Sequence, residues 1–427
     1  MALIAVLVQC AVWYLARKIL RSAYHPVVVL CQLWLVIVLS TTVFAPDFYF
    51  SPMAFLIILI MQMSAMLGGA SYYMFADSAS ARNARTVNCD YGYFRLIVYG
   101  SLVFGAIAIY TTLRAEGFGI SSILSVRGIL QVARTMSIAR YEAQFKIPLA
   151  ARIGQMFVFF ASAVAGFNFA LNKERYKKFE YFLPIVPSLL IAVIMTTRAA
   201  VLFNLTFWAC ANMSCSLLLS GRVDLKLITR RAALTLSGGI LFIAVMFIVL
   251  QFVRGGITDP GRLEEVLMHL REWPFGSIAG FSIWVDRHSF AASATGGYYT
   301  FAGIFDQFRI NARKSGLYTD YVNIGSESWS NIYTVYRGLV SDFTVIGAVA
   351  FMAIIGLLGS FALKKCLQGK AHFAGLLIAI YGFCLWSPIV SFFGYTAHLG
   401  AFVLFGLYLR FARRRTRSVH GGTRVVA

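Results

Sequence analysis

Five arginines stand where a long apolar chain turns or loops. Arg198 lies in the hairpin VIMTTRAAVLF and Arg254 closes LQFVRGG. Arg287 and Arg309 lie in the longest stretch without a continuous apolar run, and Arg337 lies in NIYTVYRGLVSDF. A guanidinium is planar, permanently charged and carries five donors in a fork. It can hold phosphate or pyrophosphate oxygens in pairs and stabilise charge on a departing phosphate without a metal. Proton transfer needs another group, and the candidate bases are His288 in WVDRHSF, Glu327 in GSESWSN and Asp342 on the same helix as Arg337. Plainer roles compete with each: an arginine at a span end anchors to lipid headgroups, Glu327 can cap the next helix, and His288 can be an ordinary surface histidine.

The elements that must position these groups are spanning helices. The 427 residues are 59% hydrophobic and only 13% charged, and the apolar positions come in long runs. Residues 232–253 carry no charge from AALTLSGG to LQFV, enough to cross roughly 30 Å of hydrocarbon. Runs of this type begin near Ala2, Pro26, Met53, Leu96, Ile147, Tyr181, Ala199, Ala232, Gly338, Ala371 and Tyr395. They predict an all-α, polytopic integral membrane protein of about eleven transmembrane helices, with residues 1–427 forming a single membrane domain.

Every second connection is basic. Arg17, Lys18 and Arg21 follow the first run, Lys173, Arg175, Lys177 and Lys178 the fifth, and Arg222, Lys226, Arg230 and Arg231 the seventh; Lys364, Lys365, Lys370 and the tail RFARRRTRS end the series. The intervening turns APDFYFSP and SFFGYT have no lysine or arginine. Positive loops stay in the cytoplasm, so the N-terminus is predicted outside and the C-terminus inside. Much of the net charge of +21 is thereby assigned to orientation, which leaves a nucleic-acid partner a poor reading. The first run has its charges behind it and is expected to remain in the chain, unlike a cleaved signal peptide. The seven cysteines fall in spans or cytoplasmic loops, so no disulfide is expected, and no Cys/His cluster has zinc spacing.

Two outer loops hold the rest of the information. Residues 114–152 contain SSILSVRGILQVARTMSIARYEAQFKIPL, a basic amphipathic helix with Arg127, Gln131 and Arg134 on one stripe, suited to lipid or phosphate contacts at a membrane surface. Residues 254–332 form the large loop. It opens with a short surface helix after Asp259 and Pro260, and after Pro274 continues as a glycine-broken, moderately apolar stretch that predicts an interfacial or re-entrant lid. Soluble catalytic motifs are absent: no GxSxG, HExxH or phosphate-binding glycine loop, and no Asp-x-Asp pair for a metal. On the helix that begins near Tyr333, Tyr333 and Arg337 share a face. Arg337 and Asp342 are five apart and point roughly 140° away from each other, so each needs its own partner.

The order of TTRAAVL hairpin, FVRGG span end, large outer loop and NIYTVYRGLVSDFTVIGA entering a long span resembles the oligosaccharide repeat-unit (O-antigen, Wzy) polymerases, over residues 195–358. The Arg-x10-Gly pattern of some members is not present: the residues eleven after Arg198, Arg254, Arg287 and Arg309 are Ala209, Glu265, Tyr298 and Asp320. The resemblance implies a GT-C-like glycosyltransferase of the bacterial inner membrane, acting at the periplasmic face on undecaprenyl-pyrophosphate-linked oligosaccharides. It implies no metal and no cofactor, with membrane lipid and a chain-length regulator as further partners. The five arginines would then bind pyrophosphate, and His288, Glu327 or Asp342 would take the proton of the attacking sugar hydroxyl. An O-antigen ligase is the nearest alternative. A flippase or other transporter is the second, disfavoured because the candidate functional charges gather on one face beside one large loop.

Overall fold

The structure is a computed structural model that describes residues 2–75, 91–141, 147–172, 177–221, 238–239, 245–252, 263–288, 290, 294–308, 310, 317–318, 320–325 and 328–419. Among these, seven helices are long and apolar enough to cross a membrane. They are α1 (Ala2–Leu20), α2 (Pro26–Phe44), α3 (Pro52–Phe75), α4 (Tyr91–Ala115), α6 (Leu149–Leu171), α8 (Ala199–Ser220) and α11 (Val335–Leu367). Three shorter or mixed elements, α7 (Ile185–Met195), α12 (Ala374–Trp386) and α13 (Thr396–Val419), carry apolar stretches of 10–17 residues. Between them lie α5 (Val126–Tyr141), α9 (Leu263–Arg287) and the short α10 (Ala302–Gln307). Ten of the eleven expected runs coincide with helices; the one beginning at Ala232 lies mostly outside the described residues.

The outside of this bundle is apolar. Ile346, Leu96, Leu67 and Val403 are all more than 60% exposed. Large aliphatic groups facing outward from every side are what a lipid solvent permits and water does not. Inside, small residues let backbones touch. A Cβ added to Gly356 would collide with the Ala65 carbonyl and one added to Gly68 with the Ala353 carbonyl, so α3 and α11 lock through reciprocal glycines. Gly166 on α6 meets the Trp208 carbonyl of α8 in the same way. Buried amides tie other pairs: Gln9 Nε2 donates to Gln62 Oε1 at 2.6 Å across α1 and α3, and Asn204 Nδ2 donates to Ser188 Oγ at 2.7 Å across α8 and α7.

The large loop differs from its sequence expectation. Pro274 was expected to end a short surface helix, yet α9 runs through it to Arg287. Its two flanks are clamped to the α2–α3 turn: Arg271 makes a bidentate pair with Asp47 at 2.9 and 2.8 Å, and Asp286 accepts from Tyr49 Oη at 2.7 Å and Ser51 Oγ at 2.6 Å. Fifteen residues separate the clamps, about 22 Å of helix, so α9 lies across that turn. Gly276 and Gly280 bring its backbone against Ile324 and the Ile332 carbonyl, where a Cβ would sit 2.9 and 2.7 Å away. This tertiary contact outweighs the hydrogen bond that Pro274 cannot donate.

Also unforeseen is a two-stranded antiparallel hairpin, β1 (Val322–Gly325) with β2 (Ser328–Ser330), which pairs Val322 with Ser330 and Asn323 with Trp329. Its buried Ile324 accepts a backbone bond from Tyr49 at 2.9 Å.

Helix α11 is broken at Thr344, whose φ of 61° and ψ of 176° lie in a region that essentially only glycine enters. A β-branched residue there stores about 1–3 kcal/mol of strain. Thr344→Gly is therefore expected to stabilise the protein by about 1 kcal/mol after allowing for the looser unfolded chain, read as a raised thermal midpoint in detergent. A lowered midpoint would show that the Thr344 side chain contributes more than its backbone costs.

Candidate anion site at the α11 break

Breaking a helix frees backbone carbonyls, and here a loop takes them. The Ser341 carbonyl accepts from Thr295 N at 3.0 Å and from Thr295 Oγ1 at 3.2 Å, and the Asp342 carbonyl accepts from Gly296 N at 3.0 Å. The Asp342 carboxylate, fully buried, binds the same loop with four donors. Oδ1 accepts from Thr295 Oγ1 at 2.5 Å and Tyr299 N at 3.0 Å; Oδ2 accepts from Thr300 N and Thr300 Oγ1, each at 2.6 Å. Gly296 and Gly297, with φ of 64° and 99°, give the loop the turn it needs to wrap the carboxylate.

One turn earlier on α11 sits Arg337, with 8% of its side chain exposed. Its guanidinium lies 3.9 Å from the Tyr333 ring centre, 4.1 Å from Tyr318 and 5.6 Å from Trp284, within an aromatic box. Nη2 donates to Asp320 Oδ2 at 2.5 Å. Nε and Nη1 are buried and have no hydrogen-bond acceptor among the described residues. A charged donor left without an acceptor is costly, on the order of 1–3 kcal/mol or more, unless something fills it.

Arg337 borders a cleft of about 220 Å³ whose wall includes Trp284, His288, Phe290, Thr295, Tyr299 and Thr344. The His288 ring stacks on Trp284 at 4.2 Å. Its pKa is lowered from 6.5, first by burial and second by the positive charge of Arg337, so the imidazole is neutral at neutral pH and can accept a proton. Burial raises the phenols of Tyr299 and Tyr318, against the opposing pull of Arg337, which leaves them as neutral donors.

The structure thus joins two of the sequence candidates, Arg337 and His288, on one cleft. Arg287 ends α9 with an exposed side chain, close enough to act electrostatically on Tyr333. Arg198 does not line this cleft. It is buried in the α7–α8 hairpin, where Nη2 donates to Gln251 Oε1 at 2.5 Å and the guanidinium lies 5.0 Å over Phe247. Burial lowers its pKa to about 10, and it stays charged at neutral pH.

Arg127 and Arg134 are exposed on α5 beside exposed Leu130 and Ile138, while Val132, Ala133 and Met136 face inward. Arg254, Arg309 and Glu327 lie outside the described residues. Asp342, expected as a candidate base, does not line the cleft, and its oxygens accept from four donors of residues 295–300, an arrangement that holds this loop. Arg337 and Asp342 do take separate partners, as their angular separation requires. Sequence reading missed Asp320, Tyr318 and Trp284, which come from other segments and carry no local signal. Tyr333 was foreshadowed by its four-residue spacing from Arg337. No three His, Cys, Asp or Glu side chains converge as a metal site among the described residues.

Asp342→Asn turns one acceptor into a donor that faces the donors of residues 295–300. It is expected to destabilise the protein by at least about 2 kcal/mol, read as a drop in thermal midpoint and faster proteolysis within that loop. Separately, removing the like charge in Arg337→Gln should move the His288 pKa upward toward its ordinary value, measured by NMR titration of the imidazole. An unchanged or lower value would remove the electrostatic link between the two groups.

Compared with known family models, characterised proteins and solved structures, the chain gives no match, so the reading of this site rests on its own residues and geometry.

Proposed function

We propose that the protein is a membrane glycosyltransferase that polymerises undecaprenyl-pyrophosphate-linked oligosaccharide repeat units at the outer face of a bacterial inner membrane. In this reading it crosses the membrane about eleven times, with its N-terminus outside, in a GT-C-like arrangement. The observation that carries the proposal is Arg337: a buried guanidinium in an aromatic box, with two N–H groups unanswered among the described residues, on a cleft at the break of α11. That arrangement suits an anion brought by a lipid and held at headgroup depth.

The chemistry follows from balance of charge. A hydroxyl of the incoming lipid-linked unit attacks the anomeric carbon of the growing chain. The bond from that carbon to the pyrophosphate oxygen breaks, and its electron pair leaves with the pyrophosphate. Arg337 stabilises the charge that develops there, in a site with little water to screen it. The proton of the attacking hydroxyl goes to neutral His288. Of the three candidate bases, His288 alone is described and on the cleft wall.

A deletion strain separates the alternatives. Loss of polymerase leaves single repeat units on lipid A core. Loss of a ligase leaves full polymer on undecaprenyl pyrophosphate, and loss of a flippase leaves no repeat units outside. Complementation with Arg337→Ala is expected to reduce polymerisation on the order of 100-fold or more, as removal of a transition-state charge donor does elsewhere. Arg337→Lys should restore only a minor part, because an ammonium lacks the planar fork. Normal chain lengths with Arg337→Ala, at equal protein levels in the membrane, would reject the role of this site.

A further inference from the structure

The Asp320–Arg337 pair is lopsided. The arginine side chain is 8% exposed and the aspartate 57%. Their contact is a single one, Nη2 to Oδ2, in contrast to the two-pronged Arg271–Asp47 pair on α9 and the four donors around Asp342. Arg337 has exchanged water for rings and one carboxylate, whereas Asp320 remains largely in water and gains little from the pair. Two side chains hold the backbone of the segment without that contact: Tyr333 Oη donates to the Asp320 carbonyl at 3.0 Å, and Asn331 Nδ2 to the Tyr318 carbonyl at 3.4 Å. The Asp320 side chain can therefore swing to solvent while its backbone stays in place.

We propose that Asp320 is a displaceable counter-anion of Arg337, and that it sets a charge requirement on the site: the ligand must outcompete one carboxylate and also fill Nε and Nη1. Resting on the reading of Arg337 as an anion site, this selects a pyrophosphate, with several charged oxygens, over singly charged anions. It also gives the site a route to release, since the returning carboxylate replaces the departing ligand at Nη2. The buried charge is never left without a counter-ion between ligands.

The test is isothermal titration of the full-length protein in detergent with inorganic pyrophosphate at fixed ionic strength. Asp320→Asn and Asp320→Ala are both expected to bind pyrophosphate about tenfold tighter than wild type. Acetate, the singly charged probe, should compete with pyrophosphate in Asp320→Ala and not in wild type. Arg337→Lys should weaken pyrophosphate binding in either background. If wild type binds pyrophosphate while both Asp320 variants bind it equally or more weakly, Asp320 orients the arginine or is idle, and the counter-anion inference falls with the anion site intact. If wild type does not bind, or Arg337→Lys binds as wild type does, the anion-site reading falls and this inference with it.

Discussion

The buried carboxylate of Asp342 is the contact on which the end of the molecule that carries the cleft depends. A helix interrupted at Thr344 exposes carbonyls that need new donors, and a buried ionisable side chain beside them compounds the cost. Both are resolved by one loop: residues 295–300 supply N–H groups to the freed carbonyls and four donors to the carboxylate. That loop then presents Thr295 and Tyr299 to the cleft, and its Thr300 carbonyl accepts from Ser391 Oγ at 2.8 Å, linking it to the turn after α12. Without the break the loop would keep the carboxylate but lose the Ser341 and Asp342 carbonyls, and without the loop those carbonyls would lose these donors.

Arg337 presents the opposite case, a buried charge that the fold leaves only partly answered. Aromatic faces contribute attraction, roughly 2 kcal/mol or more when desolvated, but they do not accept hydrogen bonds in the manner of oxygen. The two charged residues of one short helical segment are thus treated differently, although only five positions separate them. Asp342 takes four donors and serves architecture; Arg337 is held in place with two N–H groups that find no acceptor among the described residues, the condition in which a side chain retains affinity for a ligand. Their separation around the helix axis lets this happen without either neutralising the other.

Much of the bundle was legible in the sequence because length and apolarity alone select spanning helices, and the starts at Ala2, Pro26, Ala199 and Ala371 needed no tertiary information. The long loops were not legible to the same degree. Pro274 reads locally as a stop, and only Gly276 seated against the hairpin and Gly280 against the Ile332 carbonyl explain why α9 continues. The strands of Val322–Gly325 and Ser328–Ser330 are too short to announce themselves by alternation. At the site, Arg337 and His288 were visible as residue types that do chemistry. What sequence could not show is which charges find partners within the protein: Arg198 and Asp342 look as available as Arg337 until the Gln251 amide and the 295–300 loop are placed.

The break at Thr344 also fixes a height. From Val345 to Leu367 the second segment of α11 has 23 residues, about 34 Å of helix, close to the roughly 30 Å hydrocarbon thickness of a bilayer. If that segment is the part that crosses, the turns of α11 before Thr344 stand at the level of the lipid phosphates. Arg337 stands two turns above the cut. Under the proposed function, a substrate that carries its phosphates on a long hydrocarbon tail would meet this guanidinium without its tail leaving the bilayer, so reach would join charge in what the cleft selects.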